Sequence, residues 1–412
     1  MIRSTGHSAT SQRVLLLCFI IIMIDGYDSL MSSFIAPMIG KEFALGLPQI
    51  GRIFALGYTG AIVGAVCAGS LADRFGRKSV LYAFLAIAGI ATLLSAAAVS
   101  FDMLLFTRFV AGLGLGGAVP SLVSLTAEHA PAARRSAVVT RMYIGYPVGA
   151  VVGGLITAAF LRFGWRDIFI GGGIAALSML LVAYLIPETL VANRAEAPAF
   201  AGVRSESASS FIEQFREGRL AAALMLWIGL FCMLLLTYLL LSWTPTMVIK
   251  SGLTPALAAL SGVILNLGGV VGALAVGPLV NRYGPFLPAV AMIGASTIML
   301  VLLGRSFGSI APLMTMLFLV GFTAIGGQLI SPAMGVDLFP AHVRGAGTGS
   351  VLAIGRLGSI VGPIIGGALL AENFTLPLLF AVVAIPAGTA AIAFAIAFRV
   401  APAVSAAARA AS

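Results

Sequence analysis

Gly69-Ser70-Leu71-Ala72-Asp73-Arg74-Phe75-Gly76-Arg77-Lys78 is a charged string set between two long apolar runs. A second string, Gly277-Pro278-Leu279-Val280-Asn281-Arg282-Tyr283-Gly284, repeats it at an offset of 208 residues and also follows an apolar run. Around these strings the chain is 60% hydrophobic and only 9% charged, whereas a soluble globular protein carries roughly 25% charged residues. So few charges cannot cover a water-facing surface, and their clustering leaves stretches of the ~20 residues a helix needs to cross hydrocarbon. The sequence predicts twelve spans, at about 14–39, 49–72, 79–100, 103–127, 137–161, 167–187, 220–249, 255–280, 286–304, 309–335, 345–371 and 375–399. The expected class is an all-α integral membrane protein.

The net charge of +10 would suggest nucleic acid in a soluble protein. Here the placement of the cations reads instead as topology. Sixteen Lys or Arg fall at the two termini and in alternate loops, among them Arg13, Arg74, Arg77, Lys78, Arg135, Arg282 and Arg344. Six fall on the other side: Lys41, Arg52, Arg162, Arg166, Lys250 and Arg305. The positive-inside rule puts both termini in the cytoplasm, and no small-residue cleavage site follows the first apolar run, so it is expected to be retained as a helix. Cys18, Cys67 and Cys232 stand singly in apolar segments with no metal or disulfide spacing, and no metal or cofactor is expected.

The polar stretch 188–219, rich in Ala, Ser, Glu and Arg, divides the spans six and six. The domains expected are therefore a six-helix bundle at 1–187, a cytoplasmic linker at 188–219 and a second bundle at 220–412. At an offset of 209, Glu128, Pro131 and Arg135 fall over Asp337, Pro340 and Arg344, and Gly149 and Gly153 over Gly358 and Gly362. Because six is even, both halves start from the cytoplasm, and the repeat is parallel about an axis along the membrane normal.

Charges inside the spans cost about 2.5–3.5 kcal/mol each even on insertion scales. Span one nevertheless carries Asp25 and Asp28, which form one polar helical stripe with Ser29 and Ser32. Asp25 lies twelve residues beyond Arg13, and Arg356 twelve beyond Arg344, each roughly 18 Å up a helix that rises ~1.5 Å per residue. Both are expected near mid-bilayer, where transporter substrate sites lie. Two readings of Arg356 remain open: contact with an anionic ligand, or a fixed ion pair with a carboxylate such as Asp25. Arg108, in span four, is nearer the height of Asp28 and can pair with it, depending on tilt. No His lies in a span, so Asp25 and Asp28 are the proton carriers the sequence offers. Intramembrane hydrolysis would need Ser with His or Lys, paired Asp, or a His and Glu metal cluster. Only the two acids are there, three residues apart on one helix, which is poor geometry for a dyad. A receptor would carry a larger soluble domain.

The string from Gly69 to Lys78 resembles the signature loop of the major facilitator superfamily, and the twelve-span layout with a weaker second copy fits that family. The resemblance implies the major facilitator fold of two parallel six-helix repeats. Asp73 beside Arg74, Arg77 and Lys78 can form a charged latch between helices, with Gly69 and Gly76 allowing close approach and a tight turn. A plain topology signal explains the cations but not Asp73. Glu128, Arg135, Asp337 and Arg344 read as gating groups at loop ends. Span five has Ala150 where the superfamily's drug and proton exchangers carry a proline, which leans the reading towards uptake.

Within the superfamily, Asp25-Gly26-Tyr27-Asp28 followed by Ala36-Pro37 is similar to the first helix of the aromatic acid and proton symporter family. Arg108-Phe109 leading to Gly112, Gly114, Gly116 and Gly117, then Trp243-x-Pro245, and Gly355-Arg356-Leu357-Gly358 also resemble it. The resemblance implies uptake of a benzoate-, hydroxybenzoate- or phenylpropanoate-like anion with a proton, by a multi-pass protein of the inner membrane that acts as a monomer on a small organic anion. Tyr27, Tyr146 and Trp243 are the expected stacking surfaces, with Asn266 and Gln328 as hydroxyl partners. Uptake of a dicarboxylate or sugar acid is the alternative, and export of a drug or metabolite comes third.

Overall fold

The computed structural model describes residues 3–130, 135–186, 215, 219–339, 343–372 and 374–410, and every regular element among them is helical. All twelve expected spans are present: Gln12–Glu42, Leu47–Ala72, Arg77–Ala96, Phe101–His129, Arg141–Phe163, Trp165–Tyr184, Leu220–Lys250, Pro255–Tyr283, Phe286–Leu303, Ile310–Gly335, Gly347–Ala371 and Leu376–Val400. Helices are what lipid demands, since a backbone amide without a partner in hydrocarbon costs several kcal/mol, roughly. Of the expected linker, only Phe215 and Arg219 lie among the described residues.

The chain forms two compact units, Met1–Leu45 with Arg52–Arg204 and Gly46–Gly51 with Ser205–Ser412. Within the first, span one packs on span five, where a side chain at Gly149 would strike the Met23 carbonyl. Span two packs on span four at Gly57 against Gly112, Gly60 against Phe109 and Gly64 against Leu113. The second unit repeats these contacts residue for residue. Gly358 meets the Phe231 carbonyl, and Gly321, Gly268 and Gly272 meet Leu265, Phe318 and Phe322. Each partner sits 208 or 209 residues after its counterpart, so the offsets legible in the loops also govern the backbone contacts deep in each bundle. Small residues at these crossings let helix backbones meet without a side chain between them, the main source of packing energy where no hydrophobic effect separates helix from lipid.

The two signature strings end their helices in the same way. Gly76 has φ 86° and Gly284 φ 75°, left-handed values that a side chain disfavours. Each amide donates back into the last turn, Gly76 to the Ala72 carbonyl at 3.0 Å and Gly284 to Val280 at 2.9 Å.

Span ten departs from the single helix expected over 309–335. It runs as α-helix over Ile310–Val320, as a π-turn over Gly321–Ile325, and resumes at Gly326–Gln328 and Ser331–Leu338. Gly321, pressed on Leu265, opens the π-turn, and Gly326, Gly327 and Pro332 mark the break in the sequence.

If these crossings hold the bundle together, Gly149→Leu drives spans one and five apart and destabilises the protein by about 3 kcal/mol or more. Gly171→Leu, at an exposed glycine with nothing within 4 Å of an added side chain, leaves it unchanged. Thermal unfolding of the two purified variants in detergent checks this.

Candidate functional site

Arg108 and Asp28 meet inside the first unit. The guanidinium donates from Nη1 to Asp28 Oδ2 at 3.4 Å, from Nη2 to Thr92 Oγ1 at 3.1 Å and from Nε to Ser95 Oγ at 3.0 Å. Thr92 donates in turn to Asp28 Oδ1 at 2.9 Å. Ser95 is itself within 2.9 Å of both the Ala91 carbonyl and Thr107 Oγ1, and the Phe169 ring lies 4.6 Å from the guanidinium carbon. Spans one, three, four and six thus build one polar knot, with Asp28 3% and Arg108 4% exposed. Desolvating each ion costs several kcal/mol, approximately, and only such dense hydrogen bonding offsets it.

The same positions in the second unit are apolar. Adding 208 to Asp28, Thr92 and Ser95 gives Leu236, Leu300 and Leu303, and adding 209 to Arg108 gives Leu317; all four leucines are buried. The repeat therefore folds with leucine where the first unit holds an ion pair. Replacing a buried ion pair by well-packed apolar side chains is often neutral or stabilising by about 1–4 kcal/mol. Packing alone thus gives no reason for the charges.

Beside the knot lies a cavity of about 50 Å³, lined by Asp28, Arg108, Ser29, Ser32 and residues of span two that include Phe54, Gly57, Tyr58 and Ala61. Asp25 is half-buried one turn away and accepts from Ser29 Oγ at 3.4 Å. A larger groove of about 1060 Å³ opens at the Lys41 end of the unit, beside Glu42, which accepts from Trp165 Nε1 at 2.6 Å and Arg166 Nη1 at 2.5 Å. It is an open depression whose charged side chains, Lys41, Glu42, Arg166 and Asp167, sit at the ends of spans one and six.

The other expected contact residues divide between the units. Tyr27 packs its ring over Gly153 and Gly172, and its hydroxyl donates to the Ile168 carbonyl at 3.4 Å. Trp243 is fully buried, with Nε1 donating to the Pro363 carbonyl at 2.9 Å. Both rings fill the interior of their bundles instead of presenting a stacking face. Tyr146 is half-buried with its backbone against Gly26. Asn266 is buried and donates to the Gly262 carbonyl at 2.9 Å, and half-buried Gln328 lies just after the π-turn. Arg356 is exposed, and within its own unit no described carboxylate pairs with it.

At the first signature string, Arg77 forms an ion pair with Glu128, so the described partner of Glu128 comes from the string itself. Lys78 donates to the Tyr184 carbonyl at 3.3 Å, between the rings of Tyr82 and Tyr184. The Arg74 guanidinium lies over Phe75, and Gly69 is half-buried near the end of span two. The side chains of Asp73, Arg135, Asp337 and Arg344 lie outside those described.

Thr92, Ser95, Thr107 and Phe169 are the members of the knot that the sequence did not single out. Their signal was slight, two hydroxyls one helical turn apart in span three. If the charges serve function and not folding, Arg108→Leu, which strands Asp28, costs about 3–5 kcal/mol. Asp28→Leu combined with Arg108→Leu, which copies Leu236 and Leu317, then recovers most of that stability in thermal unfolding without recovering transport.

Three comparisons bear on this arrangement. The family model for the Major Facilitator Superfamily matches residues 17–357. The chain is 32% identical to the 4-hydroxybenzoate transporter PcaK of Acinetobacter baylyi, over 92% of its own length and 89% of that protein's. It is 33% identical to the 3-(3-hydroxy-phenyl)propionate transporter of Escherichia coli, over 88% and 89% of the two chains. Among solved structures, a mutant of the nucleoside transporter NupG superposes with a TM-score of 0.75 at 14% identity, over 94% of this chain and 100% of that one. Twelve spans, a contact-for-contact internal repeat and a family match over most of the sequence agree, and the chain belongs to the major facilitator superfamily.

Proposed function

We propose that the protein is a secondary active transporter that takes up an aromatic carboxylic acid together with a proton, by alternating access across the inner membrane with both termini in the cytoplasm. The observation that carries this reading is the Asp28–Arg108 knot, built where the sister half of the same fold makes do with leucine. Relatives named for 4-hydroxybenzoate and 3-(3-hydroxy-phenyl)propionate support a substrate with a ring and a carboxylate.

A buried ion pair is a natural coupling element. While Asp28 is ionised, Arg108 is neutralised. When Asp28 takes a proton, the guanidinium keeps its charge and is left to favour an anion nearby. An incoming carboxylate and a proton then stabilise each other's binding, and neither is favoured alone, which is the thermodynamic content of symport. Arg356, exposed and without a described carboxylate partner in its unit, supplies the second cation for the substrate. Asp25 shares the proton chemistry of span one. Tyr146, Asn266 and Gln328 remain the ring and hydroxyl contacts of the proposal, and the pair Arg77–Glu128 belongs to the cytoplasmic gate with the rest of its string.

Uptake of a radiolabelled panel of aromatic and aliphatic acids into proteoliposomes tests the reading. An inward proton gradient drives accumulation of an aromatic acid, and indifference to the gradient or preference for an aliphatic acid refutes it. Asp25→Asn abolishes accumulation, whereas Lys41→Ala does not. Arg356→Ala weakens apparent affinity for the acid at least about tenfold, or ~1.4 kcal/mol, and leaves a neutral amide analogue nearly unaffected.

A further inference from the structure

The cavity between spans one, two and four has a size and a lining that fit one task. At about 50 Å³ it has room for one or two waters at roughly 30 Å³ each, but not for an aromatic ring, since benzene occupies an engineered cavity of about 150 Å³. Asp28 and Arg108 are closed in by Thr92, Ser95 and Phe169 from spans three and six, and both border this cavity. Ser32 lines it too, is 7% exposed and has no hydrogen-bond partner among the described residues. Ser29 lines it as well, and its hydroxyl reaches Asp25 at 3.4 Å. Arg108 and Tyr58 are the other titratable side chains on the wall.

We propose that this cavity is the proton's access route to the buried pair: water held between Ser29, Ser32 and Asp28 links half-buried Asp25 to Asp28. The inference rests on the proton-coupled reading and adds to it an order of events. A proton taken by Asp25 passes to the Ser29 oxygen as the Ser29 hydroxyl proton moves to the water. One water proton moves on to Asp28. At the end Asp25 is ionised, Asp28 is neutral, Ser29 and the water each carry as many protons as they began with, and no electron has moved. Asp25 is thus the acid that meets the aqueous path, and Asp28 the acid that switches Arg108. Gly57 and Ala61 keep the wall low on the span-two side, where a larger side chain would fill the space.

Ser32→Val fills the cavity without touching the ion pair, and Ser32→Ala removes only the hydroxyl. Two transport modes separate the proton's route from the substrate's seat. Accumulation driven by an inward proton gradient requires loading and release of the proton in every cycle, whereas exchange of external for internal labelled acid runs with the proton left in place. The expectation is a tenfold or greater fall in driven accumulation for Ser32→Val, a smaller fall for Ser32→Ala, and exchange within twofold of wild type for both. Retained exchange also shows that the variants are folded. An equal fall in both modes, or no fall in either, overturns the route. Wild-type accumulation indifferent to the gradient, read in the same assay, overturns the proton-coupled reading beneath it.

Discussion

A carboxylate and a guanidinium shut inside a bundle surrounded by lipid are each other's counter-charge. Remove either, and the other faces a desolvation cost of several kcal/mol, approximately, with no counter-charge. In this protein that mutual dependence joins span one to span four, and through Thr92, Ser95 and Phe169 to spans three and six. Four of the six helices of the first unit are thereby tied to one buried ion pair.

The second unit acts as an internal control. Its helices cross at equivalent glycines, with Gly112 on Gly57 matched by Gly321 on Leu265, and Gly149 on Met23 matched by Gly358 on Phe231. Its interior is nevertheless leucine at the positions of Asp28, Thr92, Ser95 and Arg108. Packing requirements are thus satisfied twice by the same backbone geometry, once with charges and once without. What distinguishes the halves is chemistry: one buries an ion pair beside a small polar cavity, and the other carries an exposed arginine, Arg356, at a position where its sister has Pro147.

Much of this was legible in the sequence because the physics behind it is local or periodic. Twelve apolar runs, alternation of cations and a repeated Gly-x-x-x-x-Arg-x-Gly string need no tertiary information. The stripe of Asp25, Asp28, Ser29 and Ser32 follows from helical spacing, and the structure puts three of its members on one cavity wall, with Asp25 joined to them through Ser29. The partners of the stripe were harder to read. Thr92 and Ser95 look like any hydroxyls in a membrane helix until span three is laid against span four. Tyr27 and Trp243 have the composition of stacking surfaces, but which way a ring turns depends on glycines in other helices, Gly153 and Gly172 for Tyr27 and Gly366 for Trp243. The π-turn that interrupts span ten at Gly321–Ile325 has no counterpart in the unbroken helix of span four, although Gly112 and Gly321 make equivalent contacts, and hydropathy does not register it.

The account reduces to one claim, that the acid enters with a proton carried by the Asp28–Arg108 pair. The most direct measurement is the external pH of lightly buffered, de-energised cells expressing the protein when an aromatic carboxylate is added. The account predicts alkalinisation with the wild type and none with Asp28→Asn. Substrate influx without a pH change, or a pH change that persists in Asp28→Asn, would contradict it.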